Sequence, residues 1–349
     1  MNLTFYIVRF LIILGLSFGL SFIWAPFLDK FLHKHKLVKR IRPPSAAPIF
    51  SELHKNKGET PTSAGILIWV MVTILTLLFY FLSRLFNLDI LKSLNFLSRK
   101  ETLLPFGVLI ASALVGLFDD LLNIKGIGPN GGGLRMHHRL LLYTFIALVG
   151  AFWFYVKLDW DLVHIPFIGN FNIGLWYILV FVFVIVATSF SVNETDGLDG
   201  LAGGILLICF FAYAIISFFQ GRYDLTCFCG AIIGSLTAFL WFNIYPARFF
   251  MGDTGAMSLG VVLGVIAMLT NEFFLLPLIG IVLVWESISV ILQVLSKKIR
   301  KKKIFLSTPI HHHFEALGWT EPKVVMRFWL INAVGAVAGL IIFLLEQIL

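Results

Sequence analysis

Charge is what this sequence has least of. Only 13% of its 349 residues are charged, against roughly 25% in a soluble globular domain. So few charges cannot cover the surface of a water-soluble fold of this length. Cysteine is nearly absent: Cys209, Cys227 and Cys229 all sit in apolar runs, which excludes a disulfide scaffold. Long linkers, low-complexity tracts, internal repeats and a separable soluble domain are missing too. Disorder is excluded by the opposite excess, because 59% of the residues are hydrophobic and disorder needs low hydrophobicity. What remains is an all-α polytopic membrane protein, read as one transmembrane domain over residues 1–349.

Ten apolar stretches can be drawn, at about 4–28, 62–82, 103–118, 140–156, 175–190, 201–219, 225–242, 256–269, 273–294 and 326–349. A spanning helix takes about 20 residues. The third and eighth stretches are short, and are expected to extend into flanking polar residues. None shows the period-2 alternation of a membrane barrel. The first carries Arg9 and lacks a small-residue cleavage pattern, so it reads as a retained helix.

The loops set the orientation. Those after odd-numbered spans hold 19 Lys/Arg, and those after even-numbered spans hold 6. The positive-inside rule places the odd loops in the cytoplasm and both termini outside. The richest stretches, HKHKLVKRIR (33–42) and KKIRKKK (297–303), read as topology signals in contact with anionic lipid. The net charge of +8 is therefore a loop property. It gives a basic face suited to anionic partners, and no soluble module remains to bind nucleic acid. One even loop, VHIPFIGNFNI (163–173), alternates apolar and polar around Gly169-Asn170. It reads as a small external hairpin.

Five polar clusters stand out: KGETPTSAG (57–65), FDDLLNIK (118–125), NETDGLDGLAGG (193–204), FNIYPARFFMGDTG (242–255) and PIHHHFE (309–315). All lie in odd loops or where those loops enter helices, so topology brings them to one face. Asp119 and Asp120 are neighbours on a helix and point about 100° apart. One carboxylate can hold a metal while the other acts as base or support. Asp196 and Asp199 lie three apart among four glycines, either as helix-start acids or as readers of a base or sugar. Asp253 sits between glycines at a helix start, where an N-cap and a phosphate site both fit, and Asn243 can face the same cleft. Three consecutive histidines, His311 to His313, suit phosphate or proton handling better than one tetrahedral zinc. Glu286 lies within a span and reads as a polar contact inside the bundle, with ion coupling as the alternative. Scarce acids, cations and helix-end glycines on one face suit phosphorylated ligands. Mg²⁺ takes one or two carboxylates plus substrate phosphates, and phosphoryl transfer needs positioning and charge neutralisation above all.

These pieces carry a resemblance over nearly the whole chain. The TPT run at 60–62, FDD at 118–120, TDGLDGLAGG at 195–204, FMGDTG at 250–255 and PIHHHFEALGWTEPKVVMRFW at 309–329 resemble the phospho-N-acetylmuramoyl-pentapeptide transferases. That family lies within the polyprenyl-phosphate N-acetylhexosamine-1-phosphate transferase superfamily. The resemblance implies a homodimer in the bacterial cytoplasmic (inner) membrane, with the active site facing the cytoplasm. It implies Mg²⁺-dependent transfer of phospho-N-acetylmuramoyl-pentapeptide from UDP-N-acetylmuramoyl-pentapeptide to undecaprenyl phosphate, giving lipid I and UMP. By motif position it makes Asp253 the Mg²⁺ ligand and Asp119 and Asp120 the acidic pair. It places Asn193, Asp196, Asp199 and Asn243 at the nucleotide side. Lys57, Thr62 and His311, His312 and His313 fall around the phosphates and sugar, with His311 and His312 among the catalytic residues. Lys125 and Arg139 become the neighbouring cations.

The chain departs from that pattern in places. Glu59 stands where a glycine is usual, and Ser63-Ala64-Gly65 follows. Asn123 takes a lysine position, with Lys125 two residues later. Arg139 replaces a lysine, and keeps its charge without its geometry. Two other activities remain as alternatives: transfer from UDP-N-acetylglucosamine, and secondary transport of an anionic metabolite with Glu286 as coupling acid.

Overall fold

The structure is a computed structural model that describes residues 2–38, 60–129 and 132–349. Lys57 lies outside the described residues. Thirteen α-helices are present among them: α1 (Leu3–Lys34), α2 (Ile66–Leu85), α3 (Asp89–Leu94), α4 (Leu103–Lys125), α5 (Met136–Lys157), α6 (Trp176–Thr195), α7 (Leu201–Phe219), α8 (Tyr223–Asn243), α9 (Gly252–Leu269), α10 (Leu276–Ile279), α11 (Ile281–Arg300), α12 (Ile310–Ala316) and α13 (Glu321–Ile348). Nine are long and apolar enough to cross a membrane, and the bent α10–α11 pair makes up to ten. The short third and eighth stretches do extend into polar flanks, to Lys125 and back to Gly252.

The ninth stretch is not the straight span expected over 273–294. The segments on either side of Gly280 meet at 83°. Pro277 opens the short α10, and Gly280 adopts ψ 44°, outside the helical region. The break strips Val282 N–H of a helical acceptor, and Asn332 Oδ1 of α13 accepts it at 3.3 Å. Beyond the bend, α11 buries its polar side (Glu286, Ser287, Ser289, Gln293, Ser296) and exposes Trp285, Ile288, Ile291 and Leu292. That inversion suits an apolar solvent, where the polar groups must be satisfied inside the protein.

α9 is the axis of the bundle, with every residue buried. Small residues allow its neighbours this close: a side chain at Gly116 of α4 would run into the Asp253 carbonyl, and one at Gly65 into Gly255. α1 lies along α8 and is pinned at both ends. Arg9 meets Asp224 at 2.7 Å, and Asp29 meets Arg248 at 2.6 Å. Arg9, near the start of α1, is thus buried with a counter-charge.

The hairpin pairs β1 (Leu162–Ile165) with β2 (Gly169–Asn172), placing Val163 opposite Phe171. Its turn falls at Pro166–Ile168 and not at Gly169-Asn170, because Gly169 pairs with Ile165. The hairpin is clamped to two helix ends. His164 Nε2 lies 3.0 Å from Glu346 Oε2, Phe167 N donates to Glu346 Oε1, and His164 N donates to Asn271 Oδ1.

Candidate active site

Two of the sequence motifs are knitted together by their backbones before any side chain acts. Phe250 N donates to Pro61 O, Ala64 N to Phe250 O, and Gly65 N to Met251 O, all within 2.9 Å. This pairing lays residues 61–65 beside the start of α9. Gly252 then turns the chain into the helix with φ +73°, a conformation that favours glycine. A Cβ there would also sit 2.5 Å from Asp120 Oδ2 and 2.9 Å from Thr62 Oγ1. The Thr62 hydroxyl is buried and has no partner among the described residues.

Asp119 and Asp120 diverge as their helical spacing demands. Asp120 turns toward α9 and accepts Asp253 N at 2.9 Å and Thr254 N at 3.2 Å. It satisfies the unpaired first-turn donors that any helix leaves. Asp119 turns the other way and accepts Leu134 N at 2.6 Å. Both are fully buried.

Arg139, at the start of α5, ties these pieces into one site. Its Nε lies 2.6 Å from Asp119 Oδ2, and its Nη2 lies 3.1 Å from Asp253 Oδ2. Nη1 reaches Asn193 Oδ1 at 3.2 Å, and Asn193 Nδ2 donates to Asp253 Oδ1 at 2.7 Å. One planar guanidinium therefore spans two carboxylates and an amide. A lysine, with a single point of charge, lacks that reach.

The other expected site residues form a second layer. Asp199 Oδ2 accepts Ala247 N, while its own N–H donates to Glu321 Oε1 at 2.7 Å. Asn243 accepts from Gly200 N and donates to Phe249 O. Both therefore hold loop backbone in place. Asp196 caps the end of α6 and is partly exposed. Lys125 is exposed at the end of α4. His311 is buried, with Nδ1 2.9 Å from Glu286 Oε2, and its ring abuts Gly197. His312 Nδ1 lies 2.7 Å from Glu315 Oε2, and His313 Nδ1 accepts Leu306 N. The histidine run is thus divided among three partners. The in-span Glu286 is a contact inside the bundle, as its sequence suggested. Reading the sequence did not single out Glu315 or Glu321. Glu321 lies in the first turn of α13, outside the stretch drawn over 326–349, and its partner is 122 residues away.

Among the described residues, no three His, Cys, Asp or Glu side chains converge as a ready-made metal cage. Mg²⁺ does not need one, because it binds through one or two carboxylates and completes its shell with water and substrate phosphate. Asp253 and Asp119 offer oxygen donors on either side of Arg139, beside the buried Thr62 hydroxyl. That donor chemistry fits a hard divalent cation.

Comparison with known proteins finds relatives along nearly the whole chain. The profile of glycosyl transferase family 4 matches residues 102–271. The chain is 39% identical over 345 residues to a phospho-N-acetylmuramoyl-pentapeptide-transferase of Chloroflexus aggregans, covering 95% of this chain and 89% of that one. A protein of the same name from a Geobacillus species is 37% identical, with coverage of 94% and 95%. Another, from Buchnera aphidicola, is 36% identical, with coverage of 98% and 100%.

Proposed function

The chain belongs to the phospho-N-acetylmuramoyl-pentapeptide-transferase family, and on that premise we propose that it transfers phospho-N-acetylmuramoyl-pentapeptide from its UDP carrier to undecaprenyl phosphate. It is a multi-pass membrane transferase acting in peptidoglycan synthesis. Under this reading the reaction needs Mg²⁺ and yields lipid I and UMP. It runs at the cytoplasmic face of the bacterial inner membrane, in a homodimer. The excess of Lys/Arg in the odd loops supports that orientation.

The observation that carries the reading is the junction of Asp119, Asp253 and Asn193 on Arg139, with Asp120 fixing the helix start. Asp253, with Asp119 across Arg139, would hold Mg²⁺, which supplies neutralising charge to the diphosphate. Arg139 adds a permanent positive charge beside it, and the Thr62 hydroxyl offers a donor. A phosphate oxygen of the lipid attacks the β-phosphorus, the bond to the bridging oxygen breaks, and UMP leaves with that oxygen. The proton on the lipid phosphate, where present, passes to a carboxylate of the Asp119/Asp120 pair.

Direct attack is favoured over an aspartyl-phosphate. Asp120 already accepts two backbone N–H groups, and Asp119 is held by Arg139 and Leu134. A nucleophilic carboxylate would have to shed those bonds. The test is UMP release by the purified protein from UDP-N-acetylmuramoyl-pentapeptide and undecaprenyl phosphate, with and without Mg²⁺. Turnover only with both substrates and the metal is expected. Turnover of UDP-N-acetylglucosamine alone would overturn the substrate assignment.

A further inference from the structure

The carboxylate junction has a floor of two hydroxyls. Tyr143 lies one turn beyond Arg139 on α5, and Ser189 lies one turn before Asn193 on α6. Residues four apart share a helix face, so each hydroxyl sits on the face that carries a junction residue. Helical side chains lean toward the N-terminus of their helix, and α5 starts just before Arg139. The Tyr143 ring therefore leans back toward the junction. Of the charged groups, Asp253 acts on its hydroxyl most strongly, ahead of Arg139 and then Asp119. Tyr143 is 1% exposed, and Ser189 adjoins it. Neither hydroxyl completes a hydrogen bond among the described residues.

Burying a hydroxyl without a partner is unfavourable, and phenylalanine would fill nearly the same volume without that penalty. Tyr213, also fully buried, shows the ordinary solution: its hydroxyl donates to Glu272 O at 3.1 Å. Tyr177 lacks a partner too, but the charge acting on it is that of Arg222, and no carboxylate among the described residues does so. Only at Tyr143 does a phenol donor stand beside a carboxylate it does not yet bond. The bonds of Asp253 explain the arrangement. Its Oδ1 accepts Asn193 Nδ2 at 2.7 Å, and its Oδ2 accepts Arg139 Nη2 at 3.1 Å. In taking a divalent cation, Asp253 must loosen its hold on Arg139, because two positive groups repel on one carboxylate. A ligating carboxylate is in turn held by outer hydrogen bonds. The neutral phenol can supply one without bringing a charge that competes with the ion. Ser189 can donate to Tyr143 Oη, which leaves the phenol proton for the carboxylate.

We propose that Tyr143 is a positioning residue for the cation site: its O–H turns to Asp253 when that carboxylate takes Mg²⁺, and holds it in the ligating orientation. This rests on the Mg²⁺ reading given above. The phenol acts through Asp253 and touches neither substrate. Ser189 supports it from α6.

The test compares full-length wild type, Tyr143→Phe and Tyr177→Phe in detergent. Two readouts are followed against Mg²⁺ concentration: the thermal unfolding midpoint of the protein alone, and UMP release with both substrates. Tyr143→Phe removes one oxygen and keeps the ring. Without Mg²⁺ its midpoint should equal or exceed that of wild type, because a buried hydroxyl without a partner is gone. The same Mg²⁺-induced rise in midpoint should then require about tenfold more Mg²⁺ than in wild type, the low end of what outer hydrogen bonds contribute to metal affinity. UMP release should need the same tenfold excess and be largely recovered at high Mg²⁺. Tyr177→Phe removes the same atom at the opposite end of α6 from Asn193, and should follow the wild-type curves. Tyr143→Phe curves that superimpose on wild type would overturn the proposal. So would equal displacement in the two variants, or a lower midpoint without Mg²⁺ and an unchanged Mg²⁺ dependence, which would assign the hydroxyl to packing. If wild type itself showed no response to Mg²⁺, the metal reading would fall and this inference with it. That result is distinct from a wild type that responds and a Tyr143→Phe variant that responds identically.

Discussion

The Gly252–Leu269 helix has carboxylates gathered at both of its ends, and the two gatherings are held in different ways. At its start, Asp119, Asp120 and Asp253 meet a guanidinium, an amide and three backbone N–H groups. Just past its other end, about 27 Å away at 1.5 Å per residue, Glu272 and Glu346 surround His164. A guanidinium is charged at any working pH, whereas an imidazole is charged only in mild acid. The first gathering holds one permanent positive charge among three carboxylates, which leaves negative charge that a divalent cation would neutralise. The second is a structural clamp whose strength depends on the proton supply. Chemistry that must handle phosphate at neutral pH belongs at the first.

The sharpest way to break this comparison is to replace one titratable group at each end. Asp253→Asn keeps the shape and one of the two acceptor oxygens but removes the charge that would hold the divalent cation. UMP release should fall by about 10³-fold, the scale of losing one preorganised electrostatic group. His164→Gln, at the other end, should stay within about twofold of wild type, since local openings of an outer hairpin are separate from the inner junction. Equal losses in the two variants would show that the ends are coupled and defeat the distinction.

Arg139→Ala comes next. It leaves Asp119 and Asp253 buried without their shared cation, which should cost about 3–5 kcal/mol of stability. Thermal unfolding in detergent measures the loss. Mg²⁺ should raise the unfolding midpoint of Arg139→Ala more than that of wild type, because the ion can replace the missing charge. If Mg²⁺ moved both midpoints equally, Arg139 would not be neutralising a metal-binding pair.

Much of this inner site is written locally in the chain. Five polar clusters in odd loops required one shared face, and the adjacent Asp119 and Asp120 required divergent directions. The structure brings the described parts of these clusters close to one another and turns the two aspartates apart. What could not be read were the partners of each group. Glu286 is isolated among apolar residues in sequence, and its histidine arrives from the far side of a basic connection 25 residues on. Asp199 and Asn243 look like ligand-reading groups by composition, and in the structure Asp199 Oδ2 takes the Ala247 N–H while Asn243 bridges Gly200 N–H and Phe249 C=O. The bend at Gly280 was also hidden. Its apolar composition matches a straight span, and Asn332, which accepts the freed Val282 N–H, lies 50 residues away. Periodicity and composition report burial, whereas pairing is a property of the packed bundle.

The smallest expected effect is at the outer clamp, where acid should tighten the hairpin. Burial works against a charged His164, but its hydrogen bond to Glu346 and the fields of Glu272 and Glu346 hold it above its ordinary value of 6.5. Burial pushes Glu272 up to about 7, against the pull of His164 and with a further push from Glu346. Both groups bind protons more tightly in the fold than in the free chain. The contribution of His164 is therefore full below its ordinary 6.5 and that of Glu272 below its ordinary 4.5, and both are lost as pH rises through neutrality. Hydrogen-exchange protection factors for the hairpin amides of Leu162–Ile165 and Gly169–Asn172 should fall by roughly tenfold between about pH 6 and pH 8, an opening free energy of about 1.4 kcal/mol. The backbone hydrogen bond from His164 N to Asn271 Oδ1 does not titrate and sets a floor to the loss. His164→Gln should flatten the profile at that floor. A wild-type profile already flat, or one that survives the substitution, would remove protonation from the account of how this end is held.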